Sequence, residues 1–210
     1  ETAKIEQKYR SELIINGENS LYINYIKAIK KGTTYIDNEN KLNGEKYEIE
    51  EHFYKKGDVL YYPSPISYNQ KSIIWQDDKL VWEINENITK NILGYRCFQA
   101  KTKYRGRNYM VYFTKELPYI VGPRMFYGLQ GAVLEVEEEQ GLLKIIVTKI
   151  EEKHKKIQPN YDYKTAISWE KALNIAKENY KKKQDEIYEK YGTTPYTDFS
   201  NTLEKYDLND

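Results

Sequence analysis

With a single cysteine, Cys97, the chain cannot form an internal disulfide. A lone cysteine of this kind reads as a small buried hydrophobe. Histidine is nearly as scarce: His52 and His154 lie far apart in sequence, so no histidine–cysteine metal site is expected, and no cofactor either. Charge of one sign is missing too. Lys and Arg number 33 against 32 Asp and Glu, a net charge of +1. That balance argues against nucleic acid as a partner, because binding there is driven by a basic excess that releases counterions. No apolar run approaches the roughly 18 residues of a membrane-spanning helix. Gly-x-Ser-x-Gly, His-Glu-x-x-His and Cys-x-x-Cys are all absent. With no nucleophile–base set to assemble, the expectation is a protein that is not an enzyme.

Tyrosine is what the chain has in surplus, 22 in 210 residues. Its ring suits a pleated, half-buried surface and its hydroxyl can stay wet. Most of the tyrosines therefore read as cladding on sheets, with a minority lining a groove or an interface. The many lysines read as a solvated surface.

Residues 1–155 read as strands separated by turns. KYRSELIIN alternates with period two, Asn16-Gly17 follows as a hairpin signal, and SLYINYI returns. Asn43-Gly44 precedes KYEIEEHFY, and Lys56-Gly57-Asp58 precedes VLYY, which Pro63 and Pro65 should end. KSIIWQ and KLVWEI flank Asp77-Asp78 as a further tight hairpin. YRCFQAKTKY and NYMVYFT flank Arg105-Gly106-Arg107, with Phe98, Ala100, Thr102 and Tyr104 on one face of the first and Tyr109, Val111 and Phe113 on one face of the second. GAVLEVEEE and LLKIIVTKIEE form the last pair. Successive hairpins without a βαβ rhythm predict an antiparallel meander, in a fold that is mainly β with a C-terminal helix (α+β). The layout expected is a curved sheet or half-barrel.

Residues 156–192 read as a linker followed by that helix. Ser168 is placed to cap it, Trp169, Ala172, Leu173, Ala176, Tyr180, Ile187, Tyr188 and Tyr191 form its apolar stripe, and Gly192 ends it. Residues 193–210 read as a polar tail.

The stretch GPRMFYGLQGAVLEVE (122–137) places Gly122, Gly128 and Gly131 just ahead of a hydrophobic strand. Glycines cradle phosphate where a loop opens a helix; here the loop opens a strand, so a phosphate site is disfavoured. The structural reading is a plug: Gly122-Pro123 turns the chain, Phe126 and Leu129 enter the core, and Gly131 lets the backbone pass close to a neighbour. Together with the Trp82-led strand, Gly94-Tyr95-x-Cys97, Arg105-Gly106, Phe113-Thr114 and Pro118, the segment resembles the GLPGLI family of exported proteins from Gram-negative bacteria. Gln130 stands where that pattern has proline, and Ala132 and Val133 follow Gly131. The resemblance implies an extracytoplasmic protein, periplasmic or outer-membrane-associated, with its leader removed before Glu1. It also implies a non-enzymatic accessory subunit of the cell envelope, docking on a protein partner such as an outer-membrane transporter. The alternative is a periplasmic carrier holding a lipid or other apolar ligand in a half-barrel cavity, by fold-level analogy with half-barrel lipoprotein carriers. The candidate binding residues are Gly122, Pro123, Arg124, Phe126, Tyr127, Gly128, Leu129 and Gly131; no catalytic or metal residue is expected.

Overall fold

A computed structural model of the chain describes residues 8–29, 33, 35–36, 42–66 and 72–193. The polar tail expected over 193–210 lies outside the described residues from position 194 on. The strands are β1 (Arg10–Asn16), β2 (Asn19–Ile29), β3 (Tyr35–Ile36), β4 (Leu42–Asn43), β5 (Lys46–Lys56), β6 (Val59–Pro63), β7 (Ile73–Gln76), β8 (Glu83–Ile92), β9 (Tyr95–Tyr104), β10 (Arg107–Thr114), β11 (Ala132–Glu138), β12 (Lys144–Ile146) and β13 (Ile167–Ser168). Among the described residues a short 3-10 helix (Tyr163–Thr165) precedes β13, and the α-helix α1 (Trp169–Tyr191) follows it.

These strands form two main sheets, ordered β1-β2-β5-β6-β7-β13 and β12-β11-β10-β9-β8, with β3 and β4 paired separately. Strands joined by tight turns, such as β1–β2, β5–β6, β8–β9 and β9–β10, pair antiparallel, as the turn chemistry predicts. Gly57 in the β5–β6 connection sits at φ 56°. Leu93-Gly94 and Arg105-Gly106 each place two residues at positive φ, the geometry that matches a tight hairpin to strand twist. One parallel pair is β13 on β7, Ile167 beside Ile74 and Ser168 beside Trp75, made where the chain returns after β12 to the first sheet's edge.

The half-barrel expectation is corrected here: the sheets do not close, and the β-layer is double. The hairpin expected at Asp77-Asp78 does not form either. Instead the segment 77–82 crosses between sheets, with β7 in one and β8 in the other. Thr102 donates its hydroxyl to the Val81 carbonyl at 2.7 Å, and the Trp82 indole donates to the Tyr127 carbonyl at 3.1 Å. The crossing is therefore held by long-range contacts that a local reading cannot see. The strand expected over 142–152 is also shorter, only Lys144–Ile146.

The principal core lies where the sheets face each other. Phe53, Tyr62 and Ile74 come from the first sheet; Val111, Phe113 and Val136 come from the second. Gln76 bridges the two layers, its side-chain oxygen accepting from Tyr62 at 3.2 Å and Tyr104 at 2.7 Å. Helix α1 packs on this core through Ala172, Ala176 and Tyr180. Ser168 accepts from the Lys171 amide as the N-cap, and Gly192 closes the C-terminus at φ 70°. The Arg105 guanidinium lies 3.4 Å over the Trp169 ring and ties the helix start to the β9–β10 turn.

Candidate functional site

The loop 122–131 is packed inside the sandwich. Gly122, Pro123, Phe126, Tyr127, Leu129 and Gly131 are buried, Arg124 is half-buried, and Gly128 is exposed. Phe126 tilts against Tyr109 with ring centroids 4.7 Å apart. The Phe126 amide donates to the Pro123 carbonyl and the Gly131 amide to the Leu129 carbonyl, so the loop satisfies its own backbone in tight turns. Val133 then donates to the Val121 carbonyl at 2.9 Å, and the chain leaves the loop as β11. Arg124, at φ 55°, lays its guanidinium 4.4 Å from the centre of the Phe53 ring. Burial pushes the Tyr127 hydroxyl up to about 12, with the Asp58 charge adding to the effect.

Two polar clusters lie elsewhere in the second sheet. Arg107 and Glu138 form a fully buried pair, Nη1 to Oε1 at 3.4 Å, and the other Glu138 oxygen accepts from the Gln140 and Leu142 amides. That carboxylate thus shapes the β11–β12 turn. Lys90 meets the buried Glu135 carboxylate at 2.5 Å, with the ammonium 5.1 Å from the Tyr112 ring. Both clusters pair their charges internally. Among the described residues no group of three or more His, Cys, Asp or Glu is arranged to hold a metal.

Cys97 is 0% exposed, and burial pushes its thiol up to about 11. Thiol reagents at pH 8 should therefore leave the native protein unlabelled and react once it is unfolded; labelling of the native state at the free-thiol rate would contradict this burial. The same shift sets a pH dependence. Cys97 and Tyr127 hold their protons to higher pH in the folded state than in the unfolded chain, so stability is complete below about pH 9 and falls as pH rises toward 12. A urea midpoint lower at pH 10.5 than at pH 8 is the expected reading.

The outer face of the first sheet carries a second, smaller core. The segment after β12 returns across this face as a strap: Ile157, Tyr161 and Tyr163 pack on Ile14, Leu21, Ile23, Tyr25 and Tyr54. Its attachments are polar. His52, buried in β5, accepts the Asn160 amide at Nδ1 at 3.0 Å, while its Nε2 lies 2.8 Å from Glu50. The Tyr161 hydroxyl lies 2.7 Å from the Tyr61 carbonyl and 3.0 Å from that of His52, sharing one proton between them. Burial raises the Tyr161 hydroxyl well above the ordinary phenol value.

Where the strap reaches the sheet's edge, an open hollow of about 470 Å³ remains, lined by Val59, Tyr61, Trp75, Tyr163, Lys164 and Ala166. Tyr54 and Tyr61 flank the Tyr163 ring at 5.3 and 5.1 Å, and the Lys56 ammonium lies 3.4 Å from the Tyr163 hydroxyl. That hydrogen bond, with the attraction of the Tyr163 oxygen, raises Lys56 above the usual lysine value. None of these residues was singled out as a candidate in the sequence. The available signal was IQPNYDYKTAIS: two tyrosines two apart, in a stretch that reads as a linker.

Among solved structures, PNGF-II in a C2 crystal form is similar at 18% identity with a TM-score of 0.49, over 81% of this chain and 30% of that one. The chain thus spans under a third of that protein's length. No curated protein matches it. The family model described as N-glycanase peptide, N-terminal domain, matches residues 7–173. This corrects the resemblance to the GLPGLI family, and three expectations fall with it: an accessory envelope subunit docking on a transporter, a half-barrel carrier of an apolar ligand, and a non-enzymatic protein. The physical reason is visible in the loop. Gly122 and Gly131 stand where backbone crowds a tucked turn, a packing need that accounts for them without reference to that family. By its match over 7–173, the chain belongs to the N-glycanase peptide, N-terminal domain family.

Proposed function

We propose that this chain serves the removal of N-linked glycans, as the N-terminal domain of an N-glycanase, and that its part is to engage the glycoprotein substrate. The observation that carries this reading is the family match, which takes in both sheets, the strap and the first residues of α1. Support comes also from where the fold keeps its aromatic surface: the outer face of the first sheet leaves tyrosine and tryptophan accessible beside lysine ammonium groups, a mixture suited to ligands with both apolar faces and hydroxyls. N-glycoproteins are met outside the cytoplasm, and an exported location, periplasmic or outer-membrane-associated, belongs to the same proposal.

The test is glycan release from a denatured N-glycoprotein, followed by mass spectrometry of the freed glycan and of the former glycosylation site. A protein carrying this domain should release glycan, and removing residues 7–173 should lower the rate at least about tenfold, the equivalent of ~1.4 kcal/mol of transition-state stabilisation. A rate unchanged by the removal overturns the proposal.

A further inference from the structure

The solvent face of a sheet is normally polar, yet one row of the first sheet's outer face is aromatic across three strands. The register aligns Tyr54 with Tyr61 and Tyr61 with Trp75, and the next position in the row, across the parallel pair, is Ser168. The strap covers Tyr54 and leans Tyr163 on Tyr61, but leaves Trp75 38% exposed at the rim of the 470 Å³ hollow. The small Ser168 side chain does not replace the cover that the strap fails to give. Volume is adequate for a small ligand, since ligand clefts run from roughly 300 to 1,000 Å³. Charge on the lining is of one kind: Lys164 belongs to it and Lys56 stands beside Tyr163, with no carboxylate among the lining side chains.

We propose that the hollow bounded by Trp75, Tyr61 and Tyr163 is a saccharide subsite, taking a pyranose of an N-linked glycan against its aromatic wall. The chemistry on each side is complementary. An aromatic face carries negative charge density and attracts the slightly positive C–H bonds on one face of a pyranose. The equatorial hydroxyls then radiate from the ring's perimeter, close to its mean plane, within the sweep of two ammonium groups on flexible stems, each with three donors. A lipid chain is a poorer fit because the hollow is open and offers no enclosed apolar channel. The strap has a part in this: its Asn160 amide, donated to His52, and its Tyr161 hydroxyl, donated to the Tyr61 carbonyl, set where Tyr163 stands and so fix one wall. The inference rests on the proposed function and deepens it by giving the glycan a place on the domain.

The probe is N,N′-diacetylchitobiose, titrated into the intact 210-residue chain and followed by isothermal calorimetry and tryptophan fluorescence. Saturable binding is expected, weakened at least tenfold in Trp75→Ala and several-fold in Lys56→Met, with Tyr188→Ala on the distal part of α1 unaffected. Trp75→Phe, which keeps a ring, should retain most of the affinity and guards against a misfolded alanine variant. A second readout needs no variant: the disaccharide should slow oxidation of Trp75 by N-bromosuccinimide in the unmodified protein. No saturable binding up to about 20 mM, a concentration that would detect even a 2–3 kcal/mol interaction, overturns the subsite. So does binding that Trp75→Ala leaves intact. Glycan release that depends on the domain while the hollow binds no sugar would sink the subsite alone; sugar bound at Trp75 without any domain-dependent release would sink the N-glycanase role and leave the subsite standing.

Discussion

Gly131→Ala and Gly122→Ala should each remove most of the protein's stability, by about 4 kcal/mol or more out of the roughly 5–15 typical of a domain. A Cβ at position 131 would stand 2.0 Å from the Thr114 carbonyl oxygen and 2.8 Å from its carbon. Both atoms are backbone at the end of β10, so no side-chain rotation relieves the clash. The φ of 146° adds strain that only glycine avoids. At position 122 the added carbon would fall 1.7 Å from the Phe126 carbonyl oxygen, inside the loop's own tight turn. Gly128 provides the control. It also has positive φ, 98°, but the nearest atom to an added Cβ is the Trp82 indole nitrogen at 3.7 Å. Strain alone should make Gly128→Ala cost about 1–2 kcal/mol. Urea unfolding of the three variants should therefore separate one mild change from two severe ones. Three similar midpoints would mean that the loop does not pass as close to β10 and β11 as described.

The second large effect belongs to Arg107 and Glu138. Their side chains are 1% and 2% exposed, so removing one partner strands a charge where water cannot reach it. Arg107→Met and Glu138→Leu should each cost about 3–5 kcal/mol. Glu138→Leu should be the worse of the two, because it also orphans the Gln140 and Leu142 amides. The double variant removes both charges but not those two unsatisfied donors. Its loss should fall short of the sum of the two single losses by a coupling of about 1–3 kcal/mol, which still leaves it several kcal/mol below the native protein. Denaturant midpoints for the four members of this cycle supply the check. Losses that simply add would mean that the two charges do not depend on each other, and the buried pair would have no energetic meaning.

The comparison of chain and structure turns on range. The Arg105-Gly106 and Gly57-Asp58 turns were legible because a two-residue connection is decided by the φ values its own residues tolerate. The helix was legible for a similar reason: the Ser168 cap, the stripe through Ala172, Ala176 and Tyr180, and the Gly192 stop lie within one stretch of chain. The Asp77-Asp78 hairpin was misread because the same residues suit a turn and a crossing. What decided between them was Thr102 and Tyr127, the partners that hold Val81 and Trp82 from 21 and 45 residues away. The glycine loop is conspicuous because its residues are neighbours in the chain, whereas the aromatic hollow draws Tyr61, Trp75 and Tyr163 from across a hundred residues and has no local signature.

The sequence by itself determined the long strands of the hairpins, their two-residue turns and the capped helix, since each depends on the dihedral preferences and polarity pattern of neighbouring residues. Only the tertiary structure decided that the strands divide into two layers, that 157–163 returns to strap one of them, and that Trp75 is left open at its edge. Those outcomes come from pairings between distant segments, where closing the loop and burying side chains set the balance and adjacent residues hold no record of it.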